Sequence, residues 1–192
     1  MFEEEVYENK EFKGIVLSGE KICRKEFQGC RFENCDFAGC DFSGTAFIDS
    51  VFKACNLANI KMDKCGFRGV IFEESKLVGI CFTDINPFLL SWEFRNSRIE
   101  LCNFNGLKMR KSKFSGSTVR ETDFVNVDLG ESDFSGADLK GTRFHNAVLE
   151  KANLKKAENY YIDPMSNKLK GAKFSYPGVL SLLSSLGIKV ED

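Results

Sequence analysis

The sequence predicts a repeat solenoid, and three observations predict it. From Cys30 to Phe47 a small residue, a variable residue and a phenylalanine recur every five positions: Cys30-Arg31-Phe32, Cys35-Asp36-Phe37, Cys40-Asp41-Phe42, Thr45-Ala46-Phe47. The same phase runs from Phe12 to Phe82 and resumes from Phe94 to Leu154, giving 15 and then 13 repeats. Of the 19 Phe, 16 occupy this one position, and the residue two before it is usually Ser, Thr, Cys or Ala. A period of five matches neither the 3.6 of a helix nor the 2 of a strand. It implies another backbone geometry, built from stacked units that contact only their neighbours.

Ala137-Asp138-Leu139 and Ala152-Asn153-Leu154 match the motif A(D/N)LXX letter for letter. Over roughly residues 12–154 the chain resembles the pentapeptide-repeat family. The resemblance implies an all-β fold, a right-handed quadrilateral β-helix in which four pentapeptides make one square coil of 20 residues. A square coil requires residues 20 apart to share a wall, and the sequence meets that requirement. The first wall reads Phe12, Phe32, Phe52, Phe72, Phe94, Phe114, Phe134, Leu154 if the break between the phases adds two residues. The second is Leu17, Phe37, Leu57, Leu77, Ile99, Val119, Leu139, almost wholly aliphatic. The third is Ile22, Phe42, Met62, Phe82, Phe104, Phe124, Phe144, and the fourth Phe27, Phe47, Phe67, a gap, Met109, Leu129, Leu149. Coils stacked at roughly 4.8 Å would make a rod of seven coils, about 34 Å long.

The elements follow in order. Residues 1–11 are expected to cap the open first coil with Val6 and Tyr7, leaving Glu3, Glu4, Glu5 and Glu8 outside to discourage end-to-end stacking. Residues 12–154 are the tower, with Gly14, Gly19, Gly29, Gly39, Gly44, Gly69 and Gly79 at corners that need unusual φ. Within it, residues 83–93 hold a two-residue bulge. Pro87 removes a ladder donor there, and Trp92, the only Trp, stands where a small residue belongs. Either Phe88, Leu89 and Trp92 plug the core, or the segment projects an apolar patch; insertions in repeat arrays are frequent binding sites. Residues 155–192 leave the motif and form a C-terminal cap. Ala172-Lys173-Phe174 reads as one returning repeat, and a helix is expected at about 177–186, with Pro177 near its start and Gly187 after its end. Leu180, Leu183 and Leu186 share one face of it, and Ile188-Lys189-Val190 is a candidate strand.

Composition narrows the function. The net charge is −1, neither that of a basic nucleic-acid binder nor that of a strongly acidic chain. Direct nucleic-acid binding is not expected. No apolar run is long enough to cross a bilayer. The acidic opening Met1-Phe2-Glu3-Glu4-Glu5 is unlike a signal peptide, so the expected compartment is the cytoplasm. Cys30, Cys35, Cys40, Cys55, Cys65 and Cys102 fall at the small inward position. Cys35 and Cys55 would lie about 4.8 Å apart, near enough to raise a disulfide, but reduced packing residues are the expectation. With one His and no CxxC pair, a zinc site is not expected. His145 lies outward with no nucleophile beside it. Asp123, Asp128, Asp133 and Asp138 fall on four successive walls and so ring one coil, while Lys108, Arg110 and Lys111 gather on the fourth wall.

No catalytic constellation, phosphate loop, metal set or cofactor fingerprint is present in the sequence, so recognition by a rigid surface is the expected function, not enzymatic catalysis. The series Tyr7, Phe12, Leu17, Phe27, the run from Cys30 to Phe42, the Pro87-Phe88 break and the terminal stretch Pro177 to Ile188 resemble the Qnr-type quinolone-resistance and microcin B17 immunity members of the family. That resemblance implies DNA gyrase or topoisomerase IV as partner, protection from quinolones or a peptide toxin, a homodimer through the C-terminus, and in some members mimicry of B-DNA. The candidate dimer contacts are Leu180, Leu183, Leu186 and Ile188, with capping of the last coil as the alternative. The candidate partner contacts are Asp84, Asn86, Pro87, Phe88 and Trp92. The alternative reading is a generic scaffold that binds another protein through an outward patch around Val51 and Ile71. B-DNA carries a charge per about 1.7 Å of axis, whereas the second wall sets Asp36, Glu100, Glu121 and Asp138 against Lys76, Arg98, Arg120 and Lys140. No wall reads as strongly acidic, so local contacts are expected to outweigh mimicry.

Overall fold

In the computed structural model, residues 2–88 and 90–189 are described. The chain forms a parallel β-solenoid of about eight turns followed by one short helix. Each pentapeptide turns its large apolar residue inward, within a two- to four-residue strand or directly after a bridging residue, with its two neighbours turned outward. Val6–Glu8, Glu26–Gln28, Ala46–Ile48 and Gly66–Arg68 stack as one parallel sheet, the fourth wall. Glu11–Lys13, Arg31–Glu33, Val51–Lys53, Val70–Glu73 and Trp92–Arg95 stack as the first wall. Lys76–Val78, Arg98–Glu100 and Thr118–Arg120 form part of the second wall.

The ladder reaches beyond the periodic stretch at both ends. Tyr7 pairs with Phe27 and stacks on it at 5.1 Å, so Val6–Glu8 is a strand of the first coil. The ring that covers it is Phe2, edge-on to Tyr7, Phe12 and Phe27 at 5.2–5.5 Å. At the other end, the expectation that the repeats stop at 154 needs correction. Val148 bridges Lys168, and Asn153–Leu154 pairs with Lys173–Phe174, both 20 apart. Tyr160, Ile162 and Asn167 are buried although 159–166 breaks the motif. Periodicity misses this coil because Asn159 takes the place of the large apolar residue and turns into a corner at φ 57, while Ile162 fills the interior. The tower is therefore about one turn longer than the seven coils expected.

Inside, aromatic rings stack down the first wall, the third wall and the N-terminal part of the fourth at the spacing of the strands that carry them. On the first wall the centroid distances run 5.3, 5.1, 4.8 and 4.7 Å from Phe52 through Phe72, Phe94 and Phe114 to Phe134, with planes within 15°. The third wall repeats this from Phe82 through Phe104 and Phe124 to Phe144 at 4.5, 5.1 and 5.3 Å. Rings on different walls meet edge to face, as at Phe104–Phe114 and Phe114–Phe124, which suits their quadrupoles.

The small residue two before each Phe has a second role. Its side chain hydrogen-bonds the coil before it. Ser75 Oγ donates to the Phe52 carbonyl at 3.1 Å and accepts the Cys55 amide at 3.0 Å. Ser97 and Ser117 continue the line, Ser75 N–H donating to Ser97 Oγ and Ser97 N–H to Ser117 Oγ, both at 3.1 Å. Thr45 donates to the Ile22 carbonyl at 2.7 Å, and the thiols of Cys40 and Cys65 donate to the Leu17 and Phe42 carbonyls at 2.8 Å. Inward amides left out of the strand ladder, among them those of Cys30, Cys55, Ser75 and Ser97, are thus satisfied, as buried backbone groups must be.

The corner two residues after the large apolar position takes left-handed φ far more widely than the glycines suggest. Arg24, Lys64, Leu101 and Glu131 all lie between 54° and 61°, at roughly 1–2 kcal/mol each relative to right-handed backbone. At Gly69, where φ is +66°, glycine is favoured twice over: a Cβ would meet a strained backbone and would also crowd the Asp49 carboxylate of the preceding coil, which would have to turn away.

The break between the phases is a true insertion. Asn86 still pairs with Gly66, 20 residues earlier, whereas Trp92 pairs with Val70, 22 earlier. The two extra residues lie between these pairs, and every later coil keeps the tower's register. Trp92 is buried and touches Phe67, Phe82, Phe94 and Phe104 at 5.2–5.6 Å, filling the fourth-wall gap. Its indole N–H donates to Ser112 Oγ at 3.1 Å. Phe88 points the other way and is 75% exposed, so Trp92 plugs the core and Phe88 does not. Leu89 lies outside the described residues.

Three substitutions test this core. Phe114→Ala removes a ring stacked on both sides and is expected to cost about 3–5 kcal/mol in denaturant unfolding. Ser75→Ala leaves the Cys55 amide without its acceptor and is expected to cost about 1–3 kcal/mol, whereas a purely steric small residue would make it neutral. Trp92→Ala is expected to cost about 3–5 kcal/mol and Phe88→Ala under about 0.5 kcal/mol. Equal costs at the two positions would contradict the plug.

Candidate functional site

The outward faces of the walls are the surfaces on which recognition must occur, and part of their charge is paired in place. Lys13 pairs with Glu33 at 3.2 Å, Lys53 with Glu73 at 3.3 Å, and Lys113 with Glu93 at 3.2 Å, each one coil apart on the first wall. Arg95 closes on Glu93 at 2.7 Å. The Arg95 hydrogen bond and then that of Lys113 hold the Glu93 carboxyl below the usual carboxylate range, against partial burial. Arg110 reaches Glu131 at 2.7 Å and Asp128 at 3.3 Å, so the expected fourth-wall cation cluster is largely spent on its neighbours. Arg120 pairs with Asp138, and Arg143 with Asp123 at 3.0 Å. The ring of aspartates is thus tied to arginines one coil away, or turned to backbone amides, as Asp133 Oδ1 is to Ser135 N–H at 3.0 Å.

The break presents the apolar protrusion. Asp84, Asn86, Pro87 and Phe88 are exposed, and Asn86 Oδ1 accepts the Phe88 amide at 3.0 Å, fixing the turn that carries the ring. Trp92, expected among the contacts, is withdrawn from them: its indole fills the interior. Val51 and Ile71 stand opposite each other on neighbouring strands of the first wall, both half-buried. A shallow hollow of about 210 Å³ lies beside Ile71, lined by Gly69, Val70, Ser91, Trp92, Glu93 and Lys113.

The C-terminal segment forms a shorter helix than expected, a 3-10 turn at Gly178–Leu180 running into Ser181–Ser184. Leu182 packs against the core. Leu180 and Leu183 are half-buried, so of the four expected dimer contacts only Leu186 and Ile188 stand mainly in solvent, 45% and 50% exposed. Ile188 is not in a strand, and Val190 lies outside the described residues. Tyr161, Met165 and Tyr176 are exposed apolar residues on the last turn that period counting passed over; the signal for them is the loss of the motif after Leu154. A cleft of about 620 Å³ lies between that turn and the cap, lined by Lys156, Glu158, Tyr160, Tyr176, Pro177 and Ser181.

All eight cysteines are free thiols. Cys65 and Cys102 are pushed up to about 12, chiefly by burial. Cys81 alone is exposed and Cys23 partly so. His145 is exposed near Arg143, Tyr161 and Asp163. Among the described residues no group of three or more His, Cys, Asp or Glu is placed to hold a metal, and no helix is long and apolar enough to cross a membrane.

Comparison with known proteins agrees with this geometry. The chain matches QnrB1, a plasmid-mediated fluoroquinolone resistance protein, in two trypsin-treated structures. One aligns at TM-score 0.77 and 19% identity over 97% of this chain and 99% of that one; the other at 0.70 and 22% over 94% and 100%. HetL, a pentapeptide-repeat protein involved in heterocyst differentiation in the cyanobacterium Nostoc sp. strain PCC 7120, aligns at 0.52 and 15% over 86% of this chain and 85% of its own. These likenesses are of fold. No curated protein matches the chain by sequence. Residues 25–87 match the model of a pentapeptide repeat region and residues 122–158 that of eight pentapeptide repeats, together just over half of the 192 residues. The five-residue period, the four-walled ladder and these two matches agree: the chain belongs to the pentapeptide-repeat family.

Proposed function

We infer that this chain is a non-enzymatic protein-binding rod that engages DNA gyrase or topoisomerase IV and protects it from quinolones or a peptide toxin. The observation that carries the reading is the combination of a QnrB1-like tower along almost its whole length with an outward aromatic, Phe88, fixed at its mid-height break. Buried aromatic anchors dominate many protein interfaces, and a rigid platform loses little entropy on binding. The ion pairs along the walls leave no acidic stripe comparable to a phosphate backbone. Recognition on this reading works through contacts at Asp84, Asn86, Pro87 and Phe88, not through imitation of DNA.

A second reading rests on a specific observation too. Val51 and Ile71 are adjacent, outward and half-buried on a flat wall, a patch suited to another protein partner, and HetL carries the same fold with a role in differentiation.

Gyrase supercoiling with the chain titrated in, with and without ciprofloxacin, separates the two. On the first reading the chain at stoichiometric concentration inhibits supercoiling or relieves the drug, and Phe88→Ala weakens the effect at least tenfold. No effect in either arm removes the topoisomerase reading. The patch reading then requires that Val51→Lys with Ile71→Lys abolish partner capture.

A further inference from the structure

Near the C-terminal end of the tower, lysines gather on one edge. Lys151, Lys155 and Lys156 follow one another around the edge from the fourth wall to the first, and Lys168, Lys170 and Lys173 follow the same path one turn later, all exposed. The ladder fixes the two rows side by side: Lys151 N–H donates to the Lys170 carbonyl at 2.9 Å, and Asn153 pairs with Lys173. Rows on neighbouring coils lie about 4.8 Å apart. Among the described residues none of the six lysines forms an ion pair. Two carboxylates stand with them, Glu150 half-buried within the first row and Glu158 at its end. Glu131, one turn before Lys151, is held by Arg110 at 2.7 Å. Both rows run to the cleft of about 620 Å³ beside the cap: Lys156 closes the first and lines it, and Lys173 leads through Ser175 to Tyr176, which lines it too. Lys156 N–H donates to Ser175 Oγ at 3.0 Å, which stacks these two corners. Tyr176 is 81% exposed. The cleft itself holds one cation and one anion, Lys156 and Glu158, among otherwise uncharged lining residues that include Tyr160, Tyr176 and Pro177.

The rows suit a run of negative charges, and the cleft suits an uncharged planar ring. A polymer that supplies both is a nucleic-acid strand with its bases unpaired. We propose that this edge binds single-stranded nucleic acid, its phosphates lying along the lysine rows across the rod and one base entering the cleft to stack on Tyr176. A basic track beside an aromatic platform holds a strand without reading its sequence, because every base has a stacking face. Glu158 stands where the uncharged base enters and not where the phosphates lie, so it opposes the binding little. A duplex keeps its bases inside and leaves Tyr176 and the cleft unused. An acidic peptide or an anionic lipid surface meets the lysines but brings no ring for the cleft. The chain's net charge of −1 excludes a basic chain, not a basic edge. The site lies turns away from Phe88 and is independent of which protein the mid-height break engages.

Fluorescence anisotropy of a labelled oligo(dT) strand of about 12 nucleotides, titrated with the full chain between about 50 and 300 mM NaCl, tests this. With about four phosphates engaged, the logarithm of the binding constant is expected to fall with that of the salt concentration at a slope of about −3. The variant Lys168→Glu, Lys170→Glu, Lys173→Glu is expected to bind at least tenfold more weakly, with native circular dichroism. The variant Lys10→Glu, Lys61→Glu, Arg68→Glu makes the same change in net charge elsewhere and is expected to lose less than threefold. Tyr176→Ala is expected to weaken binding at least fivefold without changing the salt slope, and Tyr176→Trp to preserve it, because stacking and charge are separate contributions. The proposal is overturned if the native chain leaves the strand free at the lowest salt, or if the two charge-reversal variants lose binding equally. It is also overturned if a duplex of the same length, a poly-glutamate peptide or vesicles containing phosphatidylserine bind as tightly as the strand. Retention of full affinity by Tyr176→Ala alongside loss in the lysine variant would overturn it in favour of a general polyanion surface.

Discussion

Every coil of this protein has to return to the same place after 20 residues, because the backbone donors and acceptors of one coil are the partners of the next. Asn34 N–H meets the Lys53 carbonyl, Ala54 N–H the Glu73 carbonyl, and Leu129 N–H the Val148 carbonyl, all within 2.8–3.0 Å. Only the two ends leave that ladder open. The stacking of rings, the alignment of corners and the columns of outward charge all follow from this return. A side chain on one coil has its neighbours chosen for it by residues 20 before and 20 after.

The same constraint explains how the break is tolerated. Two extra residues cannot be absorbed within a strand without turning every later side chain to the wrong face. They are expelled at a corner instead, between Asn86 and Trp92, and the ladder resumes at an offset of 22 before returning to 20. Expulsion leaves the fourth wall without its large apolar residue for one turn. Trp92, arriving from the small position, fills that space and bonds Ser112. The residues pushed outward, Phe88 foremost, form an exposed aromatic protrusion at mid-height. Local structural repair and a candidate contact are two sides of one event.

Surface charge follows a different logic from the core. In the middle of the tower a cation and an anion one coil apart on the same wall are held within about 5 Å by the strand spacing, and they pair. Toward the ends such pairs give out: among the described residues Lys168 and Lys170 on the last turn of the fourth wall, and Glu8 and Glu11 on the first coil, form no ion pair, although Glu11 lies in register with Arg31. The chain as a whole is nearly neutral, yet its ends are not.

Much of the fold was legible in the residues. The five-residue period, the 16 Phe at one position and the 20-residue recurrence from Phe12 to Phe134 define the walls and their register, because the core admits only one residue per wall per coil. What sequence could not supply was direction at the irregular places. Phe88 and Trp92 are both large, aromatic and out of phase; only the packed structure decides that one faces the interior and the other solvent, since the vacancy belongs to a wall assembled from residues 20 apart. The hydrogen-bonding task of Ser75, Thr45 and Cys40 was hidden behind their size, because the carbonyls they reach lie 23 residues away. The turn beyond Leu154 was hidden because Ile162 and Asn167 fill inward sites out of motif. Repetition fixed what repeats; tertiary packing decided what happens where the repeat fails, because only there does more than one arrangement satisfy the backbone.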